Sequence, residues 1–415
     1  MGFTVLRQSE RIWNKKMEAH NSMPRQTKRE GAGARVPASA RRKSKKNIQR
    51  HKRHTSLFNK LPDVLVMEIL SRLPPKSFFR CKSVCKTWLS LSSDAVRLNK
   101  HLQPTLSGFF YNQGCGATCF VNFLSCGINK VEVDGTMSAL SCDDNLRILD
   151  CCNGLLIVGS FKKESQFAHD IHVYNPATRT LFTLWYPKQQ NNEIWYQVFS
   201  LAFDPQVFHQ FHVIRFTGKY GAKVNFIDIF SYERGKCKHH KKLLSDGIIN
   251  LYSKGIFVDG RVHRLTTQNE ILCIDPNNCT YQVIRPPNLE NRAMIEIGQS
   301  RGVLHCMSVF RDGRVFIWVL ESYTRQEWTL KYQLSLDAMY QGPLPYLYRR
   351  CINRIKYQGH FAFHPEKDVL FMPAEKNDFM SLDLSTGKGD KLDSLGNNRF
   401  DLCVGCWVYM PCYLE

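Results

Sequence analysis

Hydrophobic and polar positions change rhythm once along this chain, near residue 100. Between residues 58 and 98 the apolar residues recur at helical spacing. Leu61, Leu65, Ile69, Leu70 and Leu73 fall three and four apart, the period of one helix face. Pro62 suits a first helical turn, where its missing N–H costs nothing, and Pro74-Pro75 stops the run. A short second helix is expected over "KSFFRC", and a third over the segment carrying Val84, Cys85, Trp88, Leu89 and Leu91. Three short helices in about 40 residues make a very small core, marginal by itself and in need of a neighbour.

From about residue 105 the texture differs. Short apolar runs alternate with turn signals, which predicts strands; "GLLIVGS", "FHVIRFTG", "NFIDIFSY" and "RVFIWVLES" are the clearest. A loose repeat emerges, in which a strand ending at Asp or Asn plus Pro, or a similar turn, returns as a second strand. It occurs over 173–184, 202–216, 273–284, 362–372 and 381–392, each readable as a hairpin with an Asx-type or Pro-containing turn. Such recurrence in an all-β stretch predicts a β-propeller or a related repeat sheet, with repeats too degenerate to count. The expected fold class is mainly β: a small three-helix unit at 57–99, then an all-β, propeller-like body at 105–415.

Residues 1–56 belong to neither pattern. They hold 16 Lys and Arg against 3 Asp and Glu, so +13 of the net charge of +21 sits there. With few apolar residues the segment cannot offset its ordering entropy, and disorder is expected. Its densest part, "RRKSKKNIQRHKRH" (41–54), offers Arg41, Arg42, Lys43, Lys45 and Lys46 as a nuclear-import candidate; the plain alternative is a solvated leader. No aromatic residue interrupts 41–54 to stack on bases, so nucleic acid is not the expected partner.

Composition excludes several classes. No apolar run approaches the length of a membrane span, and the first residues carry no apolar segment of a secretory signal. Leu6 stands where a myristoylation signal has Ser or Thr. The 16 cysteines sit mostly in apolar stretches and read as reduced, buried residues of a nuclear or cytoplasmic protein. "CVGC" (403–406) and "HFAFH" (360–364) are too far apart for one zinc site, so no metal and no cofactor is expected. There is no GxSxG elbow, P-loop or dinucleotide fingerprint, and His172, His209, His263, His305 and His360 pair with no nucleophile by spacing. No catalytic residue is nominated.

The segment "LPDVLVMEILSRLP" followed by "PKSFFRCKSVCKTWLSL" resembles an F-box. One departure is Val64, where that family often has an acidic residue; Asp63 stands just before it. The body resembles the F-box-associated domain of plant F-box proteins, through "CCNGLLIV", "VYNPATRTLFTL", "GIFVDGRVHRL", "ILCIDPNNCTYQVIRPP" and "VFIWVLESYTRQEWTLKY" in that order. The resemblance implies a substrate-recognition subunit of a Skp-cullin-F-box E3 ubiquitin ligase. The F-box would bind a Skp-type adaptor, and through it a cullin-RING ligase, while the β domain holds an unknown target protein. The ubiquitin chemistry would belong to other subunits.

By the same resemblance Leu61, Pro62, Leu65, Ile69, Leu70 and Trp88 are the adaptor anchors, although sequence alone does not divide them between partner and internal core. For the target, the Trp- and Tyr-rich stretches 185–197 and 337–350 are the expected recognition loops, with Trp185, Tyr186, Trp195, Tyr196, Tyr340 and Tyr346 as contacts. Padding of sheet faces is the competing reading for those rings. The rival function is a basic nuclear nucleic-acid-binding or chromatin-associated scaffold, with the helices as a plain capping domain.

Overall fold

The structure, a computed structural model, describes residues 61–73, most of 77–91, and 106–112, 118–123, 133–140, 145–161, 168–184, 195–207, 210–219, 224–233, 236–243, 253–287, 294–310, 312–335, 361–373, 379–392 and 404–413. The basic segment 1–56, with the import candidate 41–46, lies outside the described residues. Among them no helix is long and apolar enough to cross a membrane.

Helix α1 spans Asp63–Ser71. Pro62 is its N-cap, and the Pro62 carbonyl accepts the amides of Leu65 and Val66 at 2.9 and 3.1 Å. Asp63 in the first turn faces the positive end of the helix dipole. The expected stripe of Leu61, Leu65, Ile69, Leu70 and Leu73 is not one buried face. Val66, Leu70 and Phe78 form the buried core, with Leu61, Leu73, Cys81, Trp88 and Leu91 packed against it, while Leu65 and Ile69 are exposed. The cause is local: "DVLVMEIL" is apolar nearly all round, so periodicity alone cannot say which side turns inward.

The body is a six-bladed propeller. One blade contains β1 (Gly108–Asn112) and β2 (Thr118–Asn122). Four-stranded antiparallel blades then follow in chain order. They are β3 (Asn145–Cys152), β4 (Leu155–Phe161), β5 (Ala168–Asn175) and β6 (Thr180–Leu184); then β7 (Trp195–Phe203), β8 (Gln210–Lys219), β9 (Val224–Glu233) and β10 (Lys236–Leu243). Next come β11 (Ile256–Val258), β12 (Arg261–Leu265), β13 (Ile271–Asp275) and β14 (Thr280–Ile284); then β15 (Met294–Ser300), β16 (Val303–Val309), β17 (Arg314–Ser322) and β18 (Glu327–Ser335). The last four are β19 (Ala362–Phe363), β20 (Val369–Pro373), β21 (Phe379–Asp383) and β22 (Gly389–Lys391). Finally β23 (Val404–Tyr409) returns to pair with β1 and completes the first blade.

The innermost strands β3, β7, β11, β15, β19 and β23 neighbour one another in a closed ring. Six apolar cores fill the six spaces between blades. Strand β1 shows the logic: all five residues are buried, because Phe109 and Tyr111 pack toward one neighbouring blade and Phe110 toward the other.

Turn chemistry follows the blades. First-to-second hairpins use Asn153-Gly154, Asp259-Gly260 and Arg301-Gly302, each pair with positive φ at both residues, as tight two-residue hairpins require. Third-to-fourth hairpins place one left-handed residue before the returning strand: Arg179, Cys279, Gln326 and Gly387. Asn175, Asp275 and Asp383 accept the amides of Ala177, of Asn277 and Asn278, and of Ser385 and Thr386, which makes these turns Asx-turns.

Candidate functional site

Two regions gather the side chains that matter. The first is the outer face of the helical unit. Val64 is 69% exposed, Leu65 49%, Ile69 42% and Val84 62%, which is unusual for large apolar side chains on so small a unit. Pro62 is exposed, Leu61 and Trp88 are half-buried, and Leu70 is fully buried. Of the six nominated anchors, Leu70 therefore serves the internal core. The exposed Val64 and Val84 were not nominated.

The second region is the propeller axis, where charged side chains converge from different blades. Asp150 on β3 is fully buried, and its Oδ2 accepts the amide of Leu201 on β7 at 2.8 Å. Arg264 on β12 donates to the Phe199 carbonyl at 3.2 Å, to Ser200 Oγ at 2.8 Å and to the Ser253 carbonyl. Lys254, just before β11, reaches across the ring: its Nζ donates to the carbonyl of Phe361, just before β19, at 2.6 Å and to that of Cys406 on β23 at 2.8 Å. Gly255 permits this convergence, since a Cβ there would lie 2.6 Å from Ser200 Oγ and 2.7 Å from Asp150 Oδ2.

Burial sets the ionisation of these groups. It pushes the Asp150 carboxyl up to about 7, against the attraction of Arg264 and the Leu201 amide. It pulls Arg264 down to about 10, against the pull of Asp150. The Cys406 thiol is driven up to about 12 by burial, so it is no nucleophile at neutral pH. A cavity of about 80 Å³ opens here, with Cys151, Lys254, Gln299, Phe363 and Trp407 among its lining. Small-molecule sites occupy roughly 300–1,000 Å³, so this one has room for water rather than for a substrate. The axis is a set of ties between blades.

Comparison with known proteins follows the same division. The F-box domain family matches residues 58–100, and the F-box associated beta propeller domain family matches residues 110–387, well over half of the chain. The chain is an F-box protein of the F-box associated β-propeller family. Among similar proteins are two from Arabidopsis thaliana. The F-box protein At5g49610 is 27% identical over 320 residues, covering 70% of this chain and 83% of that protein. The F-box protein At5g07610 is 24% identical over 330 residues, covering 73% and 76%. Strand β23, which closes the ring, lies beyond the matched segment.

Neither family is an enzymatic one, and several described histidines of the propeller are engaged within it. His212 Nδ1 meets Ser231 Oγ at 2.8 Å, and His172 Nδ1 meets Thr183 Oγ1 at 3.1 Å; both are directly opposed cross-strand pairs, and neither lines the axial cavity. His364 Nδ1 accepts the amides of Glu366 and Lys367, and burial together with Lys367 lowers its pKa to about 4. It is a neutral turn acceptor. No cluster of three or more His, Cys, Asp or Glu residues able to hold a metal ion occurs among the described residues.

Of the nominated target contacts, Trp185, Tyr186, Tyr340 and Tyr346 lie outside the described residues. Trp195 and Tyr196 are corrected from loop to strand: they open β7 and pair with Lys219 and Gly218. Aromatic residues favour the pleated surface, and β8 offers a partner strand along this whole stretch. The axial cluster was missed because Asp150, Lys254 and Arg264 lie far apart in sequence. A charged residue inside an apolar strand pattern, as in "NLRILDCC", was the available signal.

Proposed function

We propose that this F-box protein is the non-catalytic substrate receptor of a Skp-cullin-F-box ubiquitin ligase. One observation carries the reading. Of the seven large apolar side chains exposed among the described residues, four (Val64, Leu65, Ile69 and Val84) belong to the F-box. Among the described residues its buried core holds Val66, Leu70 and Phe78, so the unit gains most from a partner that covers the outer face. Each large side chain fully buried there contributes roughly 1.5–3 kcal/mol, enough for a few to hold a complex. A Skp-type adaptor is the partner, with Leu61, Pro62, Leu65, Ile69 and Trp88 as contacts joined by Val64 and Val84. The propeller carries the target protein, and the contribution of this chain to ubiquitin transfer is proximity. The chain works in the nucleus, the cytoplasm or both, with residues 41–46 as its import segment; a fluorescent fusion lacking them that keeps its nuclear fraction overturns that assignment.

Size exclusion of the full chain with a purified Skp-type adaptor tests the reading. The expected result is a 1:1 complex for the wild type. Leu65→Glu combined with Ile69→Glu separates the two proteins while the propeller keeps its melting transition. Failure of the wild type to bind any adaptor, with salt-sensitive retention on DNA instead, makes the chain a basic nucleic-acid-binding scaffold.

A further inference from the structure

Strand β10 is the outermost strand of its blade and, among the described strands, has a neighbour on one side only. Its sequence is "KCKHHKKL": four lysines, two histidines and no carboxylate. Lys236, Lys238, His240 and Lys241 are exposed. The strand is firmly seated. All eight residues pair with β9, His239 Nε2 meets Asp228 at 2.9 Å, and the His239 ring stacks on Phe230 with centroids 4.7 Å apart. Lys241 Nζ sits 4.0 Å above the Phe226 ring. Glu233 of β9 stands opposite Lys236 in the ladder, but among the described residues no carboxylate forms an ion pair with Lys236 or Lys238.

Lysines on an outer strand often serve only to keep sheets from joining edge to edge. The other five blades argue against that reading. Their outer strands β2, β6 and β14 carry no charged residue at all, and β18 and β22 each carry one lysine and one carboxylate. This propeller does not protect its edges by charge. The cations of β10 are a local feature.

We infer that β10 is a docking edge for an acidic, extended segment of a partner protein. The segment adds as a fifth strand of the blade, with main-chain hydrogen bonds supplying register and its carboxylates meeting Lys236 and Lys238. A nucleic-acid strand would also meet these cations, but β10 has no Phe, Tyr or Trp for base stacking, the His239 ring is already stacked on Phe230, and a sheet edge repeats at peptide spacing. Calling that partner the ubiquitylation target rests on the receptor reading; the edge itself does not, because adaptor binding concerns the F-box alone.

Fluorescence anisotropy on the full chain tests the edge. The probe is a labelled peptide of alternating glutamate and valine, as long as β10. Comparison ligands are the glutamine–valine peptide, a proline-interrupted acidic peptide that cannot form a strand, and single-stranded DNA of equal charge. The wild type is expected to bind the acidic peptide in a salt-sensitive manner. Lys236→Glu with Lys238→Glu weakens binding by about tenfold or more, whereas Lys388→Glu on another blade leaves it unchanged. Melting curves confirm that each variant folds. Absence of binding, indifference to the β10 reversal, equal affinity for the proline-interrupted peptide, or tighter binding of the DNA overturns the proposal. An intact adaptor complex in the same preparation separates that outcome from failure of the receptor reading.

Discussion

Asp150 on β3 accepts the amide hydrogen of Leu201 on β7 at 2.8 Å, so one buried carboxylate joins the inner strands of adjacent blades. Burial raises its pKa to about 7, against the attraction of Arg264, so the native state holds this proton more tightly than the unfolded chain does. The resulting stability is fully present below the ordinary Asp range and is lost as pH rises through about 7. Asp150→Asn keeps an acceptor for Leu201 and cannot ionise. Its stability relative to the wild type should therefore rise between about pH 4 and about pH 7, as read from denaturant melts at stepped pH. A pH-independent difference contradicts the assignment.

Much of this fold is legible in the sequence, and the illegible parts have physical causes. The helical unit and the turn to strands announce themselves through periodicity. The blade count does not, because the visible Asx-Pro repeat mixes two kinds of hairpin. The repeats at 173–184, 273–284 and 381–392 join third and fourth strands, whereas those at 202–216 and 362–372 join first and second. The matching turn between β17 and β18 escapes the pattern altogether: it runs from Ser322 to a left-handed Gln326, with neither Asx nor Pro. The left-handed position is what the backbone requires there, and side chains as different as Arg179, Cys279 and Gln326 fill it. Ring closure is hidden for another reason, since β23 lies almost three hundred residues from its partner β1.

Leu65 and Leu70 separate the two duties of α1. Leu70 is fully buried beside Val66 and Phe78, and Leu70→Ala should cost about 2–5 kcal/mol, enough to open so small a unit. Leu65→Ala, at an exposed site, should change folding by no more than about 0.5 kcal/mol and act on adaptor affinity alone. Amide hydrogen exchange of the peptide 61–73 distinguishes them. Fast exchange is expected for the first variant and wild-type protection for the second.

Asp228 works in the opposite sense to Asp150. Burial pushes its pKa up, but the His239 hydrogen bond and the Arg215 ion pair at 2.8 Å outweigh that and leave it lowered. The stability it contributes is present above the ordinary Asp value and is lost as pH falls through the lowered one. Asp228→Asn should be destabilised at neutral pH, and the gap to the wild type should narrow on acidification below about pH 4. A gap that widens in acid would show that the pairing with Arg215 and His239 does not govern its ionisation.

Closure of the ring rests on β23. This strand supplies Cys406 to the core on one side of the first blade, and Trp407 and Tyr409 to the core on the other. Its removal would also uncover Phe109, Phe110 and Tyr111 of β1, all fully buried, and would take away the Cys406 carbonyl that anchors Lys254. At roughly 1.5–3 kcal/mol for each large side chain, the loss matches the entire stability of about 5–15 kcal/mol typical of a folded domain. A chain ending at residue 403 should therefore lack a cooperative melting transition, although it keeps all five four-stranded blades. A synthetic peptide of residues 404–413 added in trans should restore the transition in a concentration-dependent way. Cooperative melting of the truncated chain near the wild-type temperature would mean that the remaining blades close among themselves, and that β23 is an ornament on a ring that does not need it.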